Sequence, residues 1–134
     1  MVAVVADTHT IVWYLQELAR LSEAALAALD GATGAGDPIY VSSISVVEVA
    51  YLVEKYRLPK AAFEQLIEVL SDPATGLAIA PLDLAIAQTL SQIPRDIVPD
   101  MPDRIIAATA LHLGLPLVTR DLRIQALTII QTIW

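Results

Sequence analysis

The 134-residue chain has no cysteine, which excludes disulfides, thiolate nucleophiles and cysteine-based zinc clusters. Basic residues are scarce: eight against fifteen acidic ones, for a formal net charge of −7. They form no run, which argues against the basic stripe of a general nucleic-acid binder. Aromatic residues make up only 5% of the chain, so the core has to be built from Ala, Val, Ile and Leu. Long apolar runs are missing too. A membrane span needs about 18 apolar residues in succession. The longest candidate, Ile105 to Val118, is broken by Thr109, His112, Gly114 and Pro116. No basic segment precedes Val2 and Asp7 cuts the first apolar stretch short, so no secretory signal is expected. There is no Gly-x-x-x-x-Gly-Lys-[Ser/Thr] phosphate loop and no Gly-x-Ser-x-Gly elbow. These absences leave a cytoplasmic protein, outside the membrane, as the expectation.

What is abundant is aliphatic. Hydrophobic residues reach 56% and charged ones only 17%, above and below the usual shares for a soluble domain. The length fits a single domain over residues 1–134. So much apolar side chain on so small a body is expected to be buried partly against another chain, as a homodimer, a partner complex or both.

Val2 to Ala6 reads as a short strand buried on both faces, followed by a helix from about Thr8 to Ala19. Ser22 is placed to cap a helix over Glu23 to Leu29, and Gly31 to Pro38 reads as a loop. A strand at Ile39 to Ser42 precedes a helix from Ser45 to about Tyr56 and another from Pro59 to about Leu70. Leu77 to Ile79 reads as a strand, Asp83 as a cap for a helix to about Gln92, and Asp103 to Leu113 as a helix stopped by Gly114. Leu117 to Thr119 and Thr128 to Ile133 complete the strands. Strands alternating with helices predict a mainly parallel sheet covered on both faces.

Four acids fall where these elements end or begin: Asp7, Glu48, Asp103 and Asp121. Ligands of open α/β sheets bind at the carboxyl ends of the strands. Hard divalent cations such as Mg²⁺ and Mn²⁺ take oxygen ligands, so carboxylates gathered at that edge point to a metal. Each acid also has a simpler role. Asp7 and Asp121 are placed to cap the next helix, Ser45 and Glu48 form a capping-box pattern, and Asp103 sits where a helix dipole favours an anion. His9 is placed to line the site, and Arg104 and Arg120, adjoining the acids, are candidate contacts for a polyanionic substrate.

Val4-Val5-Ala6-Asp7-Thr8-His9, Ser42-Ser43-Ile44-Ser45-Val46-Val47-Glu48, Pro102-Asp103-Arg104-Ile105-Ile106-Ala107-Ala108-Thr109-Ala110 and Leu117-Val118-Thr119-Arg120-Asp121 occur in that order. Together they resemble the PIN-domain family, above all the VapC-type toxins of toxin–antitoxin pairs. The resemblance implies a three-layer α/β/α sandwich and a ribonuclease site. Asp7, Glu48, Asp103 and Asp121 would hold Mg²⁺ or Mn²⁺ there, with Thr119 as a supporting hydroxyl. It also implies hydrolysis of RNA to a 5′-phosphate and a 3′-hydroxyl, and control by a small antitoxin protein. Arg123 stands where many relatives carry a further acid, which leaves the number of metal ions open. Two other functions compete: a catalytically silent module for dimerisation or antitoxin binding, and a metal phosphoesterase acting on DNA or another phosphate ester.

Overall fold

The computed structural model describes residues 2–134. Its strands are β1 (Val4–Ala6), β2 (Ile39–Ser42), β3 (Leu77–Ala80), β4 (Leu117–Val118) and β5 (Thr132–Ile133). They form one sheet in the order β3-β2-β1-β4-β5, and every pairing is parallel. The helices are α1 (Thr8–Gln16), α2 (Glu23–Gly34), α3 (Ser43–Glu54), α4 (Lys60–Ser71), α5 (Leu84–Thr89), α6 (Met101–Leu113) and α7 (Leu122–Gln125). Among the described residues no helix is long and apolar enough to cross a membrane.

Alternation along β1 creates the layers. Val4 and Ala6 face one core, filled by Ile11 and Trp13 of α1, Leu29 of α2 and Leu66 of α4. Val5 faces the opposite core, filled by Ile86 of α5, Ile106 and Ala107 of α6, and Ile124 of α7. Successive strand residues point to opposite faces, and both faces are covered, so the strand has no polar position to alternate with. The result is the three-layer α/β/α sandwich expected from sequence.

The strand order positions the site. From β1 the chain steps outward through β2 to β3 on one side, then returns to lay β4 and β5 on the other. β1 and β4 are therefore neighbours at the point where the order reverses, and their carboxyl ends open a crevice. Ala6 pairs with Val118, so Asp7 and Thr119 leave the sheet side by side. The Asp7 amide still donates to Val118 O at 3.1 Å.

Several element boundaries differ from the sequence reading. Gly31 to Gly34 is helical, not loop: α2 continues through it because Leu29 and Ala32, fully buried, dock on the sheet. Packing of that face outweighs the poor helix propensity of two glycines, each costing about 1 kcal/mol. The first helix ends at Gln16, and a separate tight turn covers Leu18–Arg20. α3 starts two residues earlier than expected, with Ser42 as its cap through a 3.2 Å bond from the Ile44 amide. The last strand shrinks from six expected residues to Thr132–Ile133. α6 does stop at Gly114, which sits at φ 66°. A side chain there is disfavoured, so Gly114→Ala is expected to lower unfolding free energy by about 1 kcal/mol in a urea titration.

Candidate active site

Asp7 is the N-cap of α1, and it is buried, with 8% of its surface exposed. Its Oδ1 accepts from the Thr8 amide at 2.7 Å and its Oδ2 from the Thr119 hydroxyl at 2.7 Å. Capping and site placement are thus the same geometry, not alternatives. Thr119 is fully buried, and its Oγ1 accepts in turn from the Asp121 amide at 3.0 Å. One threonine therefore ties the end of β1 to the start of the segment that carries Asp121. Asp121 caps α7 through the Arg123 and Ile124 amides, at 2.8 and 3.1 Å, using Oδ1 for both.

Glu48 is not in a capping box. Ser42 caps α3, and Ser45, one turn before Glu48, is buried with its hydroxyl 2.8 Å from Thr8 Oγ1. Thr8 Oγ1 also lies 2.6 Å from Glu48 Oε1. A hydroxyl has one hydrogen, so Thr8 donates to the carboxylate and accepts from Ser45. The residue after Asp7 therefore holds the second acid, fixing α3 against α1. Asp103 occupies the first turn of α6, and among the described residues no donor bonds its carboxylate.

These four acids line one open cavity of about 830 Å³ at the carboxyl edge of the sheet. A fifth, Asp100, lines it as well. Asp100 lies between Pro99 and Pro102, in a connection where an acid has an ordinary loop or capping role. It does occupy the N-cap position of α6, yet its side chain caps nothing. The signal available was its spacing: three residues before Asp103 is one helical turn, so both acids face the same way.

Crowding and burial act on these carboxylates together. Burial pushes the Asp7 carboxyl up, opposed by the bonds from Thr119 and Thr8. Burial also raises Glu48, with the Thr8 hydroxyl opposing and Asp7 and Asp100 repelling. Asp103 is raised to about 7, first by burial and then by repulsion from Asp7, Asp121, Asp100 and Glu48. Such a cluster calls for positive charge.

The donor set fits a hard cation. All the converging groups are carboxylates, with no sulfur or imidazole among the four proposed ligands. Among the described residues no three such side chains are drawn in tightly enough to make a ready-made cage. Mg²⁺ suits this arrangement, because it keeps several waters and binds through one or two carboxylates.

The remaining wall is mainly of the opposite sign, with one further acid, Glu17, 3.8 Å from Arg20. Arg20, Arg57 and Arg120, three of the eight basic residues, line the cavity. Trp13 of α1 organises two of them: the Arg20 guanidinium lies 4.6 Å from its ring centre and that of Arg120 5.8 Å. His9 packs on the same indole at 5.7 Å, tilted, and is exposed to the cavity. Arg20 and Arg57 were not singled out from the sequence, because Asp7, Glu48, Asp103 and Asp121, whose cavity they line, come from other segments.

Arg104 does not reach this cavity, contrary to the expectation that it contacts substrate. Its Nη2 donates to Leu90 O at 3.1 Å and Ile93 O at 3.0 Å, which fastens α6 to the preceding connection. Arg123 is exposed and also lies off the cavity wall.

The PIN domain model matches residues 4–129, and the chain belongs to the PIN-domain family. It is 33% identical over 127 residues to Ribonuclease VapC22 of Mycobacterium tuberculosis, covering 94% of this chain and 92% of that protein. The fold is similar to that of VapBC2 from Rickettsia felis, solved bound to a promoter DNA fragment. That match has a TM-score of 0.72 at 18% identity, over 98% of this chain and 97% of the other. A FitAcB structure from Neisseria gonorrhoeae matches with a TM-score of 0.64 at 26% identity, over 98% and 96% of the two chains.

The raised carboxyl groups dictate a pH dependence for the metal-free protein. A carboxyl raised in the folded state contributes stability that is present below its unfolded value and lost as pH rises through its folded value. For Asp103 that window runs from 3.8 to about 7. In EDTA the thermal midpoint is therefore expected to rise as pH is lowered from 8 to 5. Asp103→Asn should raise the midpoint at pH 8 and flatten the profile. Added Mg²⁺ should stabilise the wild type at pH 8 more than it stabilises the variant.

Proposed function

We propose that this protein is a metal-dependent endoribonuclease, the toxin of a toxin–antitoxin pair, acting in the cytoplasm. The observation that carries the reading is the convergence of Asp7, Glu48, Asp103 and Asp121 on one cavity at the switch point of a PIN fold. The likeness to a ribonuclease at 33% identity over nearly the whole chain supports the choice of RNA. As a first assignment, all four acids hold the Mg²⁺ or Mn²⁺, and Thr119 keeps Asp7 oriented.

When bound, the metal would supply electrophilic stabilisation of the phosphate and an activated water. The chain's own groups do the rest. Thr8 and Thr119 fix Asp7 from both sides, and Thr8 fixes Glu48, so two acids are held in place before substrate arrives. Preorganisation of this kind avoids reorganising dipoles during the reaction. Asp103, raised to about 7 while the cluster lacks a counter-charge, is the acid whose ionisation a bound cation would favour most, and a carboxylate of the cluster supplies the base for the attacking water. Arg20 and Arg120, held on Trp13, and Arg57 face the phosphates on either side of the scissile bond. His9 lies within the same wall, placed against a sugar or base.

A protein partner is part of the proposal. Leu84 and Met101 are 73% and 60% exposed, and with Leu82 and Ile105 they line an apolar groove between α5 and α6. Such a surface fits association with a second copy of this chain, and a small antitoxin would cover other apolar surface nearer the cavity.

The test is cleavage of structured RNAs in Mg²⁺ or Mn²⁺, with chelator and Asp7→Asn controls. Asparagine keeps the cap with its one oxygen, and its amide N–H can donate to Thr119 Oγ1 where the carboxylate accepted from it, so the fold should be retained by circular dichroism. Cleavage should fall by at least about a hundredfold, the loss typical when one preorganised charge-stabilising group is removed. Equal cleavage by the variant would remove Asp7 from the site. No cleavage by the folded wild type on any RNA would leave a silent binding module as the better description.

A further inference from the structure

The connection from α3 to α4 contains a residue that the fold itself does not need. Tyr56 has φ 58°, and it is the sole non-glycine residue with positive φ among those described. The Arg57 amide reaches back to Leu52 O at 2.8 Å and the Tyr56 amide to Val53 O at 3.0 Å. That is the helix-ending turn in which glycine normally fills the left-handed position. A tyrosine there carries backbone strain, which burial of its ring would ordinarily offset. The residue is 96% exposed.

The surroundings suggest a use for it. Lys55, Arg57 and Lys60 are all exposed around Tyr56, three of the eight cations within six residues. Lys60 meets Glu64 at 3.7 Å, but with side-chain exposures of 83% and 63% that pair leaves the ammonium open to another partner. Tyr56, Arg57 and Lys60 share a shallow cavity of about 560 Å³ that no acid lines. Arg57, Leu58 and Pro59 also line the acidic cavity, so the two depressions adjoin across these residues.

We infer that the 55–60 turn is a second RNA-binding element, in which Tyr56 stacks on an unpaired base flanking the scissile phosphate while Lys55, Arg57 and Lys60 hold the adjoining phosphates. Exposed aromatic faces beside cations are how single strands are gripped without a long basic groove. A protein of net charge −7 has particular need of a local grip. The inference rests on the ribonuclease reading above.

Tyr56→Gly separates a role in folding from a role in binding. Glycine relieves the strained turn, so the thermal midpoint should rise. Affinity for a labelled single-stranded RNA, read by anisotropy in EDTA, should nevertheless fall roughly tenfold, and KM for cleavage in Mg²⁺ should rise with kcat unchanged. Tyr56→Phe should restore both. The double variant Lys55→Gln, Lys60→Gln should flatten the slope of log affinity against log salt by about 0.7 for each phosphate that a lysine no longer holds. If wild type cleaves RNA but Tyr56→Gly and the lysine variant keep its KM and salt slope, the second element is refuted and the ribonuclease stands. A wild type that neither binds nor cleaves RNA overturns both.

Discussion

The Asp7 carboxylate is a nearly buried anion at the one place in the sheet where the strand order reverses, and its two oxygens are spoken for by different parts of the chain. Thr8 supplies a backbone amide from the start of α1, and Thr119 supplies a hydroxyl from the end of β4. Removing a carboxylate from water without partners would cost several kcal/mol. The fold tolerates it because residues more than a hundred positions apart in sequence are brought into register by the Ala6–Val118 pairing. From that point the arrangement spreads outward. Thr119 also takes the Asp121 amide, and Thr8 also holds Glu48, so three of the four acids are tied to one hydrogen-bonded cluster.

Asp103 stands apart from that cluster. It comes from a helix packed across the sheet and is held by no side-chain bond, only by the placement of α6. Buried Ala107, Ala108 and Ala110 let that helix lie close to the strands. The electrostatics follow from this difference. Asp7 and Glu48 have hydrogen-bond donors opposing their burial, whereas Asp103 has none and feels four neighbouring acids.

Much of this was legible in the sequence where a residue's role is local. An apolar run ending in Asp7, a glycine ending α6 and a serine before α2 each announce an element boundary through short-range chemistry. The four acids could be picked out because each stands at such a boundary. What could not be read depends on contacts between distant segments. Gly31 to Gly34 joined α2 because Leu29 and Ala32 found the sheet. Ser45 and Glu48 matched a capping pattern, but the carboxylate was claimed by Thr8, forty residues earlier in the chain. Arg104 adjoins Asp103 in sequence and yet points away, since adjacent helical residues lie about a hundred degrees apart around the axis. Asp100 was overlooked although its one-turn spacing from Asp103 was there to read, and Arg20 because the segments that bring Asp7, Glu48 and Asp103 to its cavity are remote in sequence.

The raised Asp103 carboxyl has a further consequence for how the protein comes into being. At neutral pH it is able to keep a proton where a cation would otherwise be required. Small metal-dependent modules that lack such an option are unfolded until loaded. Here the sheet and its hydrophobic layers form around a partly protonated acid, and on the metal-dependent reading proposed above ion uptake would exchange a proton for metal in a finished framework. A newly synthesised chain would pass first through a folded, unloaded and chemically idle form, so assembly with other molecules need not wait for the ion.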